Sequence, residues 1–239
     1  MSGTDDTLLA GRRALVVGDD EIGCGIAERL RRAGAHTELL PLPPPDLLSV
    51  APHLRNGLDV LVVNALPAAE PVPLAAATAA ATADALARVV LAQRLMQAAL
   101  AALRARGGRI LLIGHRYGEA INEGLAAYNC AAWAQVGLMR TAAIEWGSHQ
   151  ITTNLVLPLA DTAELRAARA QRPRVLEQLI GQLPLGRVGS PVEDVGGAVA
   201  FLASEAGAFI NGEIVYADGG QHVAGPVLNP ARFTASGRG

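Results

Sequence analysis

The sequence predicts a doubly wound α/β domain built on a parallel sheet, and three observations carry that prediction. Short apolar runs of strand length alternate with longer segments of helical spacing along most of the chain. The stretch Gly108 to Asn154 reads as strand, loop, long helix, strand. At 239 residues and 51% hydrophobic, the chain is long enough for one large domain that buries most of its apolar surface.

Taken in order, Arg13 to Val17 is an apolar run that stops at Gly18, and Ile22 to Ala33 has helical spacing closed by Gly34. The chain therefore opens strand, turn, helix. A second strand, about His36 to Leu40, ends at Pro41. The proline-rich piece Leu42 to Asp46 leads quickly into a further strand, Leu58 to Asn64, leaving room for one short helix, Leu47 to Arg55, and no extra strand. Leu74 to Arg106 is a long Ala/Leu helical stretch with a break expected near Ala81-Thr82 and a stop at Gly107-Gly108. Its interruption by Asp84, Arg88, Gln93 and Arg94 marks a core helix and not a membrane span. Ile110 to Ile113 is the next strand and ends at Gly114 and His115, after which Tyr128 opens an Ala-rich helix lasting to about Trp146.

Charge and composition exclude several classes. A net charge of -2 without a basic block argues against a nucleic-acid groove or an anionic membrane surface. Cys24 and Cys130 have no neighbours at ligand spacing, so no metal site is expected, and they fit a reducing compartment. The N-terminal residues lack the basic start and apolar run of a signal peptide, and a cytoplasmic protein is expected. No lysine is present, so all 20 basic side chains are arginines and no lysine chemistry is available.

The segment from Gly108 closely resembles the catalytic segment of the short-chain dehydrogenase/reductase family. There a Ser closes the strand, a Tyr follows thirteen residues on, and a Lys lies one helical turn later on the same face. Those positions hold His115, Tyr128 and Ala132 here, and counting back from Gly-Arg-Ile puts the family's Asn on Ala87. The strings Thr153 to Pro158, Pro184 to Val195, Ala200 to Ser204 and Asp218-Gly219-Gly220 extend the match. The resemblance implies a Rossmann-like sheet, shortened at the strand 3 edge, over a single domain at 1–220. It also implies a substrate lid at Asp161 to Ile180, subunit interfaces on the last helix and strand and on the Tyr128 helix, and a tail at 221–239 that could reach a neighbouring subunit.

The nucleotide side departs from the family. Its Gly-x-x-x-Gly-x-Gly turn, which lets backbone N-H groups approach a pyrophosphate, aligns with Gly18, Asp19, Asp20, Glu21, Ile22, Gly23, one residue short and with Glu21 at the middle glycine. A rival register uses Gly18, Gly23 and Gly25 and puts the helix out of phase. Three carboxylates stand where phosphate charges would lie, at a cost of about a kcal/mol or more each. The ribose selector after the second strand is absent, Asn64-Ala65-Leu66 erodes the family's Asn-Asn-Ala-Gly, and Leu159 replaces the glycine after Pro158. No cofactor is expected in this chain, with NAD(P) bound in a partner subunit or only weakly here.

The chemistry is depleted as well. A tyrosine hydroxyl with a pKa near ~10 is a poor base without a neighbouring cation, so Tyr128 is read either as a relic or as an oxyanion donor beside an acid-base His115. The acidic turn is read as solvated. Halohydrin dehalogenases, a cofactor-free branch, share the shortened region after the second strand, but of their Ser, Tyr and Arg only Tyr128 carries over. Two-subunit short-chain dehydrogenases, such as one acting on an aromatic succinyl-CoA, pair an active subunit with a degenerate one. Three readings follow. The first is a non-catalytic partner of a paralogous subunit in a hetero-tetramer, with a small-molecule or acyl-CoA substrate at the complex; self-association as a homo-oligomer is the alternative assembly. The others are a cofactor-independent isomerase, lyase or cyclase using His115 and Tyr128, and a dehydrogenase with unusual nucleotide binding.

Overall fold

A computed structural model describes residues 7–43, 50–65, 71–114 and 123–224. Its centre is a six-stranded, all-parallel sheet in the order β2-β1-β3-β4-β5-β6. The strands are β1 (Arg13–Val17), β2 (His36–Leu40), β3 (Val60–Asn64), β4 (Arg109–Ile113), β5 (Thr152–Pro158) and β6 (Ile214–Ala217). The helices are α1 (Glu21–Arg32), α2 (Ala51–Leu54), α3 (Ala79–Arg104), α4 (Ala126–Trp146), α5 (Ala163–Gln171), α6 (Pro173–Gly181) and α7 (Gly196–Ala203).

Successive side chains of a strand point to opposite faces, and the two faces feed two separate cores. Leu15, Val17, Leu61, Val63, Ile110 and Leu112 meet Ala92, Leu95, Met96 and Ala99 of α3 and Val136 and Met139 of α4. Val16, Val60, Val62, Leu111 and Ile113 meet Ile26, Ala27 and Leu30 of α1 and Val199 and Leu202 of α7. All of β4 is buried, which is why its sequence, Arg-Ile-Leu-Leu-Ile, shows no polar alternation. α3 is long and apolar enough to cross a membrane by composition, yet Ala92, Leu95, Met96, Ala99 and Leu103 are fully buried in the core. It is a packed helix of the domain.

Three boundaries differ from the sequence reading. The break in the long helical stretch comes earlier than Ala81-Thr82. Leu74–Ala76 forms one tight turn, and Thr78 then caps α3 by accepting from the Ala81 N-H. The expected lid folds as two short amphipathic helices, α5 and α6, separated at Arg172 by Pro173, which opens the second. Of the expected helix Leu47 to Arg55, Ala51–Leu54 is helical. The sheet has no strand beyond β2 among the described residues, in agreement with the shortened edge.

Strand order reverses between β1, which continues to β2 on one side, and β3, which continues to β4 on the other. In an open α/β sheet the crevice beyond the carboxyl ends at such a reversal is where ligands bind. Gly18 and Asn64 form its floor, because β1 and β3 run in register up to Val17 and Val63.

Candidate functional site

The crevice is lined by the turn that the sequence singled out, and that turn is filled by its own side chains. Asp20 caps α1, its Oδ1 accepting from the Gly23 N-H at 2.8 Å and from the Asn64 Nδ2 at 2.7 Å. A carboxylate thus holds the helix N-terminus, where the positive end of the helix favours negative charge. Glu21, the first residue of α1, reaches the other way: its carboxylate accepts from the Ala163 N-H at the start of α5 and from the Arg166 guanidinium. Asp20 and Glu21 are exposed, and they bond to Asn64 on one side and to α5 on the other, beside an open cleft of about 600 Å³ lined by Glu21, Gly25, Arg166 and Arg187 among others.

The glycines of the turn serve chain packing. Gly18 has φ +118°, and a Cβ there would lie 2.6 Å from the Asn64 carbonyl oxygen. A Cβ on Gly23 would lie 1.7 Å from the Gly18 carbonyl oxygen, and one on Gly25 would lie 2.6 Å from Pro191 Cβ. These contacts press the first turn of α1 onto β1 and onto the segment before α7. The residues present do not fit a dinucleotide. A pyrophosphate would have to displace Asp20 from the helix end and stand beside the like charges of Asp19 and Glu21.

Ionisation keeps the Glu21 link to α5 in place near neutrality. The Arg166 hydrogen bond, helped by the Ala163 N-H, lowers the Glu21 pKa below its ordinary value, and Glu21 in turn raises that of Arg166. A lowered carboxyl pKa makes the link fully present above the ordinary carboxylate range and loses it as pH falls through the depressed value. Acidification below about pH 4 is therefore expected to shift the Ala163 amide resonance toward its position in a Glu21→Gln variant. An Ala163 resonance that stays put throughout acid titration short of unfolding would contradict the link. On the far side of the cleft, Arg187 pairs with Asp194 through two contacts of 2.7 Å. That pair, with the Ser190 N-H, lowers the Asp194 pKa to about 2.

The second candidate centre lies at the start of α4. Tyr128 is buried, and it lines a cleft of about 440 Å³ with Thr78, Asp84, Arg88 and Leu125. Ala132, one turn on, packs against Leu125 and Tyr128, so the position that carries the family's Lys contributes a methyl group to a small apolar cluster. Ala87 is exposed on the outward stripe of α3, and its neighbour Arg88 is the residue that faces the Tyr128 cleft. Counting residues back from β4 misses this because one position on a helix turns a side chain by about 100°. His115 lies outside the described residues. Gly114, which precedes it, is packed so closely that a Cβ would lie 2.6 Å from Leu157 Cδ2. No group of three or more His, Cys, Asp or Glu side chains suited to a metal occurs among the described residues. Cys24 and Cys130 are exposed helix residues.

A family model described as enoyl-(acyl carrier protein) reductase matches residues 47–222. The chain is 40% identical over 129 residues to a (3R)-3-hydroxyacyl-CoA dehydrogenase of Canis lupus familiaris, covering 53% of this chain and 49% of that protein. It is 40% identical over 134 residues to the 3-oxoacyl-acyl-carrier-protein reductase FabG of Pseudomonas aeruginosa, covering 55% and 52%. The chain thus spans about half the length of the curated relatives it matches. Across nearly the whole fold it is similar to the structure of an oxidoreductase of the short-chain dehydrogenase/reductase family from Burkholderia thailandensis. The TM-score there is 0.77 at 29% identity, covering 95% of this chain and 98% of that one.

Proposed function

Because this chain belongs to the short-chain dehydrogenase/reductase family, we propose that it is a member without a nucleotide site of its own, serving as the non-catalytic partner subunit of a hetero-oligomeric short-chain oxidoreductase. The observation that carries the proposal is the occupied helix end: Asp20 holds the end of α1 and Asn64, while Glu21 bonds to α5. Loss of the family's Lys at Ala132, whose methyl group packs against Tyr128, supports it from the chemical side. In this reading NAD(P) and the substrate, a small molecule or an acyl-CoA, are handled with the partner subunit. The activities of the similar proteins, on hydroxyacyl-CoA and 3-oxoacyl-carrier substrates, favour an acyl thioester.

The outer face of the α3–α4 pair offers a surface for such a partner. Trp133 and Ile144 are exposed eleven positions apart, three turns of α4, and Val90 is exposed on α3. Between them Gly137 adds no side chain and has open space around it. Large apolar side chains in one stripe mark an interaction site more often than a solvated surface.

Titration of the isolated chain with NADH and NADPH tests the occupied helix end. No saturable fluorescence change or heat is expected up to millimolar nucleotide, and micromolar binding would return the chain to the nucleotide-dependent dehydrogenases. The cleft beside Tyr128 favours a second reading, a cofactor-independent isomerase, lyase or cyclase in which Tyr128 hydrogen-bonds a substrate oxygen and His115 moves the proton.

A further inference from the structure

At the opposite pole of the sheet, where the strands begin, a cleft of about 610 Å³ is lined by Arg12, Arg106, Arg109, Thr152, Glu205 and Phe209, among others. The strands are five residues long or so, which sets this cleft roughly 15 Å from the crevice at their carboxyl ends. It is independent of the subunit reading.

The charges here do not balance. Asp59, fully buried at the start of β3, stands 3.6 Å from Arg12 Nη1 and 3.5 Å from Arg106 Nε. Glu205 pairs closely with Arg12 and stands 3.9 Å from Arg109 Nη2. Three guanidiniums therefore share two carboxylates, and neither Arg106 nor Arg109 makes a hydrogen bond to a carboxylate among the described residues.

Arg109 is the costly one. It opens β4, is only 6% exposed, and spends Nη1 on the carbonyls of Gly108 and Gln150. Burial, with Arg12 adding to it, lowers its pKa against the opposing pull of Glu205. Its Nε and the Oγ1 of Thr152, the residue paired with it on β5, are buried without a hydrogen-bond partner among the described residues. Buried cations are retained when an anion and hydrogen bonds answer them. The floor is also held in an uncommon backbone state: Gln150 has a left-handed φ of 59° without being glycine.

We propose that this cleft is a binding site for a phosphorylated small molecule, the phosphate group lying among Arg106, Arg109 and Arg12 and an apolar part resting on the fully exposed ring of Phe209. Arginine suits a tetrahedral oxyanion because its planar fork can place two N-H groups on two oxygens. A phosphate there supplies the missing negative charge, and Arg106, which is more than half exposed and only loosely paired to Asp59, is free to turn onto it.

The test is calorimetric titration of the full chain with inorganic phosphate and with phenyl phosphate, at constant ionic strength maintained with chloride. Saturable binding of both is expected, phenyl phosphate binding more tightly than phosphate. Arg106→Ala is expected to weaken both by about tenfold or more, while Arg104→Ala, an exposed arginine outside the cleft, leaves them unchanged. Phe209→Ala is expected to remove the advantage of phenyl phosphate alone. Thr152→Val gives a second readout at the cleft wall if Arg106→Ala alters folding. No saturable heat in the wild-type chain, or equal affinities in the Arg106 and Arg104 variants, would overturn the proposal.

Discussion

Replacing Asp59 with alanine is expected to destabilise the fold by about 3–5 kcal/mol, the range for removing one partner of a buried charge cluster. Its Oδ2 accepts from the Arg13 N-H at 2.8 Å, its main chain bonds to Arg13 and Arg109, and its Oδ1 faces Arg12 and Arg106. One side chain thus joins the starts of β1, β3 and β4. Alanine would leave the Arg13 N-H without an acceptor and the arginines repelling one another. Asp59→Asn keeps an acceptor for Arg13 and is expected to lose less. Urea unfolding of the three proteins, compared by midpoint at equal slope, checks this. A loss below about 1 kcal/mol for the alanine variant would show that Asp59 does not organise this end of the sheet.

Gly23→Ala is expected to cost about 3 kcal/mol, at the upper end of overpacking effects. The added Cβ would fall 1.7 Å from the Gly18 carbonyl oxygen, a backbone atom that cannot swing aside as a side chain would. The first turn of α1 must lift, and with it the Asp20 cap, its bond to Asn64 and the Glu21 link to α5. Gly137→Ala provides the internal contrast. It lies in α4 with nothing within 4 Å of the new Cβ, so alanine's higher helix propensity should stabilise by about 0.5–1 kcal/mol. Both are read from thermal or urea midpoints. Equal effects at the two glycines would contradict the packing assigned to the turn.

Much of the fold was legible because it depends on local pattern. Local pattern placed β1 to β5, the family resemblance implied the last strand, and the short interval between Pro41 and Leu58 left no room for a helix and a further strand. The erosion of the glycine turn was legible too, but what replaces the ligand was not. Glu21 finds Ala163 and Arg166 across 142 and 145 positions, and Asp20 finds Asn64 across 44, so no spacing in the chain announces them. The same holds for the cluster of Arg12, Asp59, Arg106, Arg109 and Glu205, which comes from four separate segments of sequence. Arg88 was missed for a different reason. It is adjacent to the expected position Ala87, and a single step on α3 exchanges the outer stripe for the cleft beside Tyr128. A helical-phase count from the buried residues Ala85, Val89 and Ala92 would have placed Arg88 on the inner side.

The two ends of the sheet differ in what their charges do. At the carboxyl end, acidic side chains cap α1 and bond to α5. At the amino end, arginines outnumber their carboxylate partners. The framework is that of the family, and Val90, Trp133 and Ile144 are exposed on its α3 and α4 helices.

The most direct test of the subunit role is the native mass of the tagged chain purified from its own host, with each co-purifying polypeptide identified. A stoichiometric complex with a paralogous short-chain dehydrogenase that carries the complete Ser-Tyr-Lys set is the expected result, dissociated by charged substitutions at Trp133 and Ile144. A homo-oligomer of this chain alone, unchanged by those substitutions, would contradict it.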